Sequence, residues 1–77
     1  MPRYFFDVVD NGQVLKDDEG MLLPGIAALH EEVMAAAREV VANELRSGGD
    51  HFRDREFRVR DEAGNTVLTL PFVEAAP

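Results

Sequence analysis

Strict alternation of apolar and polar residues marks two extended segments in the second half of the chain. Residues 56–60, EFRVR, place Phe57 and Val59 on one face and charged side chains on the other. Residues 66–70, TVLTL, repeat the pattern after the turn DEAGN, with the leucines on the inner face. A two-residue period predicts β-strands with one buried face.

A second hairpin is predicted at the start of the chain. Residues 3–9, RYFFDVV, are rich in aromatic and β-branched side chains, which is typical of a strand. Asn11-Gly12 separates them from the short run QVLK at residues 13–16. Asn-Gly between extended runs favours a type I′ turn, whose two central residues need positive φ. The short, polar second strand suits a sheet edge.

Between the hairpins the apolar period changes to about 3.6 residues, which predicts one helix over residues 26–47. Its apolar stripe consists of Ile26, Leu29, Val33, Ala37, Val40, Val41 and Leu45. Gly25 is an acceptable N-cap, and Gly48-Gly49 ends the pattern with residues that suit a helix C-terminus.

Together these elements predict an α+β fold of type ββαββ, a four-stranded antiparallel sheet with one long helix on one face. The strand order 2-1-3-4 is favoured because it places the apolar first strand centrally. The polar second strand and the fourth strand, which ends at Pro71, then lie at the edges. We expect a single domain over residues 1–72 and a frayed tail at 73–77.

The predicted helix is longer than the predicted sheet. About 22 helical residues span about 33 Å, whereas strands of five or six residues span about 17–20 Å. Val40, Val41 and Leu45 should therefore extend beyond the sheet, where a second subunit would cover them. The prediction is a homodimer with these three residues at its contact.

Composition restricts the possible functions. The chain has 77 residues, no cysteine and a net charge of −7. Disulfides and zinc–thiolate sites are therefore excluded, and the negative charge opposes binding to nucleic acid. No signal peptide or membrane span is recognisable, so we expect a cytoplasmic protein without a membrane partner.

Residues 8–20, VVDNGQVLKDDEG, are strongly acidic, and the overlapping residues 7–18 resemble part of a calcium-binding EF-hand loop. If Asp7 takes position one, position three is Val9, which offers no side-chain oxygen, and position twelve is Asp18 instead of glutamate. The flanking segments are also strands. We therefore interpret the segment as a turn and a solvated connector, and weak binding of a divalent cation by Asp17, Asp18 and Glu19 stays open.

The residues needed for catalysis are scarce. His30 and His51 have no metal-ligand spacing, and Ser47, the only serine, has no recognisable partners for a triad. We predict no catalytic residue, no cofactor and no metal site. A metal-dependent enzyme using residues 17–19 is kept as an alternative.

Positive charge is concentrated in HFRDREFRVRD at residues 51–61. Arg58 and Arg60 should project from the outer sheet face beside Phe5, an arrangement that binds single-stranded nucleic acid in other proteins. Interleaved acidic residues leave this segment a net charge of only +1 with histidine neutral. Ion pairs with Asp7 across the strands are therefore the favoured role. The same face, with Val67, is the candidate surface for a protein partner.

Three motifs carry a resemblance to a known family: RYFFD at residues 3–7, DDEG at 17–20 and VLTLPF at 67–72. With them, nearly the full chain resembles a family of small uncharacterised bacterial proteins, found in alphaproteobacteria and defined only as a domain of unknown function. The resemblance implies a single-domain bacterial cytoplasmic protein and transfers no functional residue.

From these observations we predict a non-catalytic interaction module that associates with itself or binds another protein. The alternatives are a binder of single-stranded nucleic acid and, with less support, the metal-dependent enzyme.

Overall fold

The computed structural model describes residues 1–77. Its elements in chain order are β1 (Arg3–Asp10), β2 (Gln13–Leu15), β3 (Met21–Leu22), α1 (Ile26–Arg46), β4 (Arg55–Arg60) and β5 (Thr66–Pro71). Two short 3-10 helices complete the fold, at His51–Asp54 and Phe72–Ala75. The predicted α+β class, with one helix and an antiparallel sheet, is confirmed.

The sheet contains five strands, and four of them run in the order β2-β1-β4-β5. This matches the order expected for the four predicted strands, but the short β3, which also pairs with β1, was not predicted. β2 pairs with residues 8–10 of β1 and β3 pairs with residues 3–4. β4 pairs with residues 5–10 on the opposite side of β1, so β2 and β3 share one edge of this central strand.

The turn between β1 and β2 has the predicted conformation. Asn11 and Gly12 have φ values of 51° and 85°, as a type I′ turn requires. Asp10 and Gln13 form the pair that closes the hairpin. A local sequence signal is therefore sufficient to fix the register of this edge.

α1 ends where its glycines predicted. The N–H of Gly49 donates to the carbonyl of Glu44 at 3.0 Å, and the N–H of Gly48 donates to that of Leu45 at 3.1 Å. These two bonds form a Schellman motif, which satisfies carbonyls that have no partner within the helix. No helix in the chain has the length and apolar character needed to cross a membrane.

The core lies between α1 and the sheet. The middle of the predicted helical stripe is buried, but both ends are exposed, with Ile26 at 61% and Leu45 at 43%. The other core side chains come from the strands, from residue 23 and from the two 3-10 helices: Tyr4, Leu23, Phe52, Phe57, Val59, Leu70 and Phe72.

The 3-10 helices bear on two predictions. Both contact α1 and each other, and each buries a phenylalanine, Phe52 and Phe72. The tail predicted to fray from residue 73 therefore begins inside an ordered 3-10 helix, and Ala75 and Ala76 pack against the core.

The second is the dimer contact, which stays a prediction. Val41 is only 1% exposed within a single chain, so it has no surface to offer to a second subunit. Val40 is half-buried and Leu45 is exposed. The comparison of helix and strand lengths omitted the two 3-10 helices, which pack against α1 and contribute to its burial.

Candidate functional site

The outer sheet face, opposite α1, carries the predicted pair of Phe5 and Arg60. The two residues are directly opposed on β1 and β4, and the guanidinium carbon lies 4.5 Å from the ring centroid. Nε of Arg60 also donates to Oδ2 of Asp7 at 2.8 Å. The predicted cross-strand ion pair with Asp7 is thus confirmed, and Arg60 is already engaged by its own chain.

Of the other two residues predicted for this face, Arg58 lies on it opposite Asp7, and Val67 lies at an irregularity of β5. The Arg58 guanidinium contacts the Glu56 carboxylate at 3.3 Å. Val67 has no opposite residue, because Val59 pairs with Leu68 and the next pair is Arg60 with Thr66. The face thus combines its arginines with internal carboxylates, an arrangement that favours a structural role for both.

Asp17 is the centre of the acidic connector that joins β2 to β3. Its Oδ2 accepts the N–H of Phe6 at 3.0 Å, and its Oδ1 accepts those of Glu19 at 3.1 Å and Gly20 at 3.2 Å. Its own N–H donates to Oδ1 of Asp7 at 2.9 Å, while Arg60 donates to its carbonyl at 3.0 Å. Asp17 therefore binds the edge of β1 at the point between the residues that pair with β2 and those that pair with β3.

These contacts determine the ionisation of Asp17. Partial burial by itself raises the pKa of the carboxyl. The three N–H groups that donate to the carboxylate and the positive charge of Arg60 outweigh burial, so the pKa of Asp17 lies below its ordinary value of 3.8. The side chain is held as a carboxylate acceptor whose two oxygens are both occupied.

No group of three or more histidine, aspartate or glutamate side chains is arranged to hold a metal ion. Within the acidic connector, Asp18 and Glu19 are exposed and Asp17 binds backbone N–H groups instead. The two histidines are also exposed and lie apart. His30 lines an open groove of about 410 Å³ on α1, and His51 lines one of about 510 Å³ near the end of that helix.

The structure exposes a surface that the sequence did not reveal. Val8 pairs with Leu15, and Tyr4 pairs with Met21, so both partner residues lie on the same sheet face as α1. Leu15 is nevertheless 64% exposed and Met21 is 42% exposed. Together with the half-buried Phe6 and Val8 on the same face, they are here called the edge patch (Phe6, Val8, Leu15 and Met21).

Burial decreases across this face of the sheet. Val59 on β4 and Leu70 on β5 are 0% and 3% exposed, whereas Phe6 and Val8 on β1 are half-buried and Leu15 on β2 is mostly exposed. Tyr4 on β1 is also buried, at 7%, and Phe6 and Val8 pack against the core. The uncovered part of this face is therefore the edge formed by Leu15 and Met21. Alternation placed Phe6 and Val8 on the inner face but carried no signal for the lateral position of the helix.

No curated protein and no solved structure matches the chain significantly. One family model does match, and it covers residues 3–73, which include every strand and the helix. The chain belongs to this family, a domain of unknown function designated DUF6894.

Proposed function

We propose that this protein is a small interaction module that binds another protein through the edge patch. The observation that carries the proposal is the edge of the inner sheet face, where Leu15 and Met21 are 64% and 42% exposed on the same face as the half-buried Phe6 and Val8. A small domain gains stability by burying such side chains, so their exposure in the single chain is typical of a binding surface.

The proposal places the interface on the helix side of the sheet, away from the outer face of Phe5, Arg58, Arg60 and Val67. On the outer face, Arg60 is bound to Asp7 and stacked on Phe5, so a partner would have to displace internal contacts. The same internal pairing disfavours single-stranded nucleic acid, which would need these arginines and the aromatic ring to be free.

Affinity capture from a native lysate tests the proposal, with and without nuclease. The bait variants are Leu15→Thr with Met21→Thr, and a matched control, Val14→Thr with Leu22→Thr. The control residues neighbour the patch residues on the same strands but face the outer side, and they are similarly exposed at 48% and 47%. Threonine retains a high strand propensity in all four positions.

The expected result is a stoichiometric protein partner that resists nuclease, is retained by the control and is lost by the patch variant. Recovery of the bait alone contradicts the proposal. So does a partner that both variants retain equally, since binding would then not involve the edge patch.

A further inference from the structure

We infer that Asn11 is a site of spontaneous modification, at which the side-chain amide is lost to the backbone nitrogen of Gly12 and the products are aspartate and isoaspartate. The inference concerns the tip of the β1–β2 hairpin and is independent of the proposed function. Three observations carry it: both reacting groups are free of internal hydrogen bonds, the approach to Gly12 is open, and the other asparagines lack this arrangement.

The reaction joins neighbouring groups and needs only water. The nitrogen of Gly12 gives up its proton and attacks Cγ of Asn11, while the side-chain nitrogen takes up a proton and leaves as ammonia. The new N–Cγ bond closes a succinimide ring. Water then opens the ring at Cγ, which restores the ordinary backbone as aspartate, or at the backbone carbonyl carbon, which leaves the chain running through Cβ as isoaspartate.

Both reacting groups are free in the folded chain. Asn11 and Gly12 are exposed at the tip of the hairpin. The N–H of Asn11 donates to the carbonyl of Asp54 at 3.3 Å, but the Asn11 carboxamide has no hydrogen-bond partner in the chain, and neither has the N–H of Gly12. The attacking nitrogen is also uncrowded, because no atom of a non-neighbouring residue lies within 4 Å of the position that a Cβ of Gly12 would take.

The short strand β2 allows the turn to open. Ring closure brings the Gly12 nitrogen within bonding distance of Cγ of Asn11, which requires the turn to open transiently. All three residues of β2 are exposed, and three residue pairs hold the strand to β1. Segments with few buried contacts open locally without unfolding of the core, so the reaction can proceed in the folded protein.

The other two asparagines of the chain are held more firmly. Asn43 lies within α1, and its carboxamide accepts a hydrogen bond from Arg46. Asn65 precedes Thr66, the β-branched first residue of β5, and its N–H and carbonyl both form hydrogen bonds with Asp61. Modification should therefore be selective for Asn11.

The two products differ in their effect on the hairpin. Aspartate adds one negative charge and keeps the turn, since Asp-Gly suits a type I′ turn as Asn-Gly does. Isoaspartate inserts an extra carbon atom into the main chain between the paired residues Asp10 and Gln13. The length of a two-residue turn fixes the register of its hairpin, so the isoaspartate form should release β2 from β1.

Mass spectrometry of the purified full chain, incubated at mildly alkaline pH, tests the inference. Electron-transfer fragmentation distinguishes aspartate from isoaspartate in the peptides. We expect Asn11 to be converted to both, and Asn43 and Asn65 to remain as asparagine. Asn11→Gly removes the reactive amide and keeps a sequence that suits the turn, so this variant should lose no ammonia at the hairpin. An Asn11 that stays intact while the urea-unfolded chain is converted, or equal conversion of all three asparagines, would overturn the inference.

NMR spectroscopy of the incubated protein tests the structural consequence. The amides of Val9, Gln13 and Val14 should lose their cross-strand contacts in the isoaspartate form. They should keep them in a freshly prepared Asn11→Asp variant, which reproduces the aspartate product. Signals of β5 should be unchanged in both forms, because that strand lies at the opposite edge of the sheet. An isoaspartate form that keeps the cross-strand contacts would overturn the expected release of β2.

Discussion

Asp17 supplies, from one side chain, acceptors of the kind that a neighbouring strand would otherwise provide to β1. Its two carboxylate oxygens bind N–H groups on both sides, from Phe6 in the strand and from Glu19 and Gly20 in the connector. Hydrogen bonds to a charged acceptor stabilise a fold by about 1.5–3 kcal/mol each, more than neutral ones do. The short strands β2 and β3 can therefore both pair with one edge of β1, although the residues of β1 between them have no strand partner on that side.

Asp17→Asn should destabilise the protein markedly at neutral pH. The amide has one acceptor oxygen, so it can serve either Phe6 or the pair Glu19 and Gly20, while its NH₂ group faces a donor on the other side. We expect a loss of about 2 kcal/mol in the free energy of unfolding, measured by urea denaturation. The matched control Asp18→Asn, an exposed neighbour with no side-chain partner, should change stability by less than about 0.5 kcal/mol.

The effect of Asp17→Asn should also depend on pH. The folded-state pKa of Asp17 lies below the ordinary value of 3.8, so the ionised carboxylate contributes its full stabilisation above that value. The contribution is lost as pH falls through the folded pKa. The stability difference between wild type and variant should be constant from about pH 7 to 5 and should shrink below about pH 4. A difference that grew towards low pH would contradict the hydrogen-bonded carboxylate.

Gly20 cannot accept a side chain for two separate reasons. Its φ is +69°, and a Cβ would lie 2.8 Å from the carbonyl oxygen of Tyr4, a backbone atom of β1. Gly20→Ala should cost about 3 kcal/mol of unfolding free energy, from the left-handed conformation and the displaced strand together. Gly64 is the matched control, with φ +88° and open space around its Cβ position, so Gly64→Ala should cost only about 1 kcal/mol. Equal losses in thermal or urea unfolding would show that the contact with Tyr4 is not tight.

Among the elements, the C-terminal 3-10 helix is the one whose importance was underestimated. The Phe72 ring is 2% exposed and its centroid lies 4.8 Å from that of Phe57. Phe72→Ala should therefore cost about 3–4 kcal/mol, a large part of the stability of so small a domain. Val73→Ala, one residue further in the same helix but 41% exposed, should cost less than about 1 kcal/mol. Similar small losses for both would mean that the segment frays in solution.

The sequence predicts those elements that local signals specify. Asn11-Gly12 fixes the first hairpin, and the 3.6-residue period fixes the helix within one residue of its observed end. β3 was missed because two residues, Met21 and Leu22, are too few to show a period. The 3-10 helices are also too short to show a period. Each is held in place by one buried phenylalanine, whose contacts are with residues distant in the sequence.

The candidate site also has features that the sequence predicts and features that it does not. Pairing between Asp7 and the arginines of β4 follows from alternation of charges on predicted neighbouring strands. The hydrogen bond that the N–H of Phe6 donates to Asp17 does not follow from the sequence, because no pattern indicates that a carboxylate in a connector will bind a strand edge. The edge patch depends on where α1 crosses the sheet, which is a property of the packed molecule and has no signature in Leu15 or Met21 themselves.

At the scale of the whole molecule, net charge opposes self-association of the chain, and the edge patch favours it. The net charge of −7 keeps copies of the chain apart at pH 7, but the isoelectric point is about 4.6. We expect self-association to increase as the pH approaches 4.6 and the repulsion disappears, which light scattering would detect. Leu15→Thr with Met21→Thr should reduce the scattering, whereas Val14→Thr with Leu22→Thr should reduce it less. Equal scattering from all three proteins would show that the edge patch does not drive the association.

The central position of β1 has a consequence for the order in which the chain folds. Phe5 on β1 pairs with Arg60 on β4, so the middle of the sheet joins segments that are distant in the sequence. During synthesis, the β1–β2 hairpin emerges before β4, and an isolated two-stranded hairpin is only marginally stable in water. Such long-range pairing slows folding because a large loop must close before the contacts form. The apolar β1 therefore has no partner for most of its length until β4 has been made.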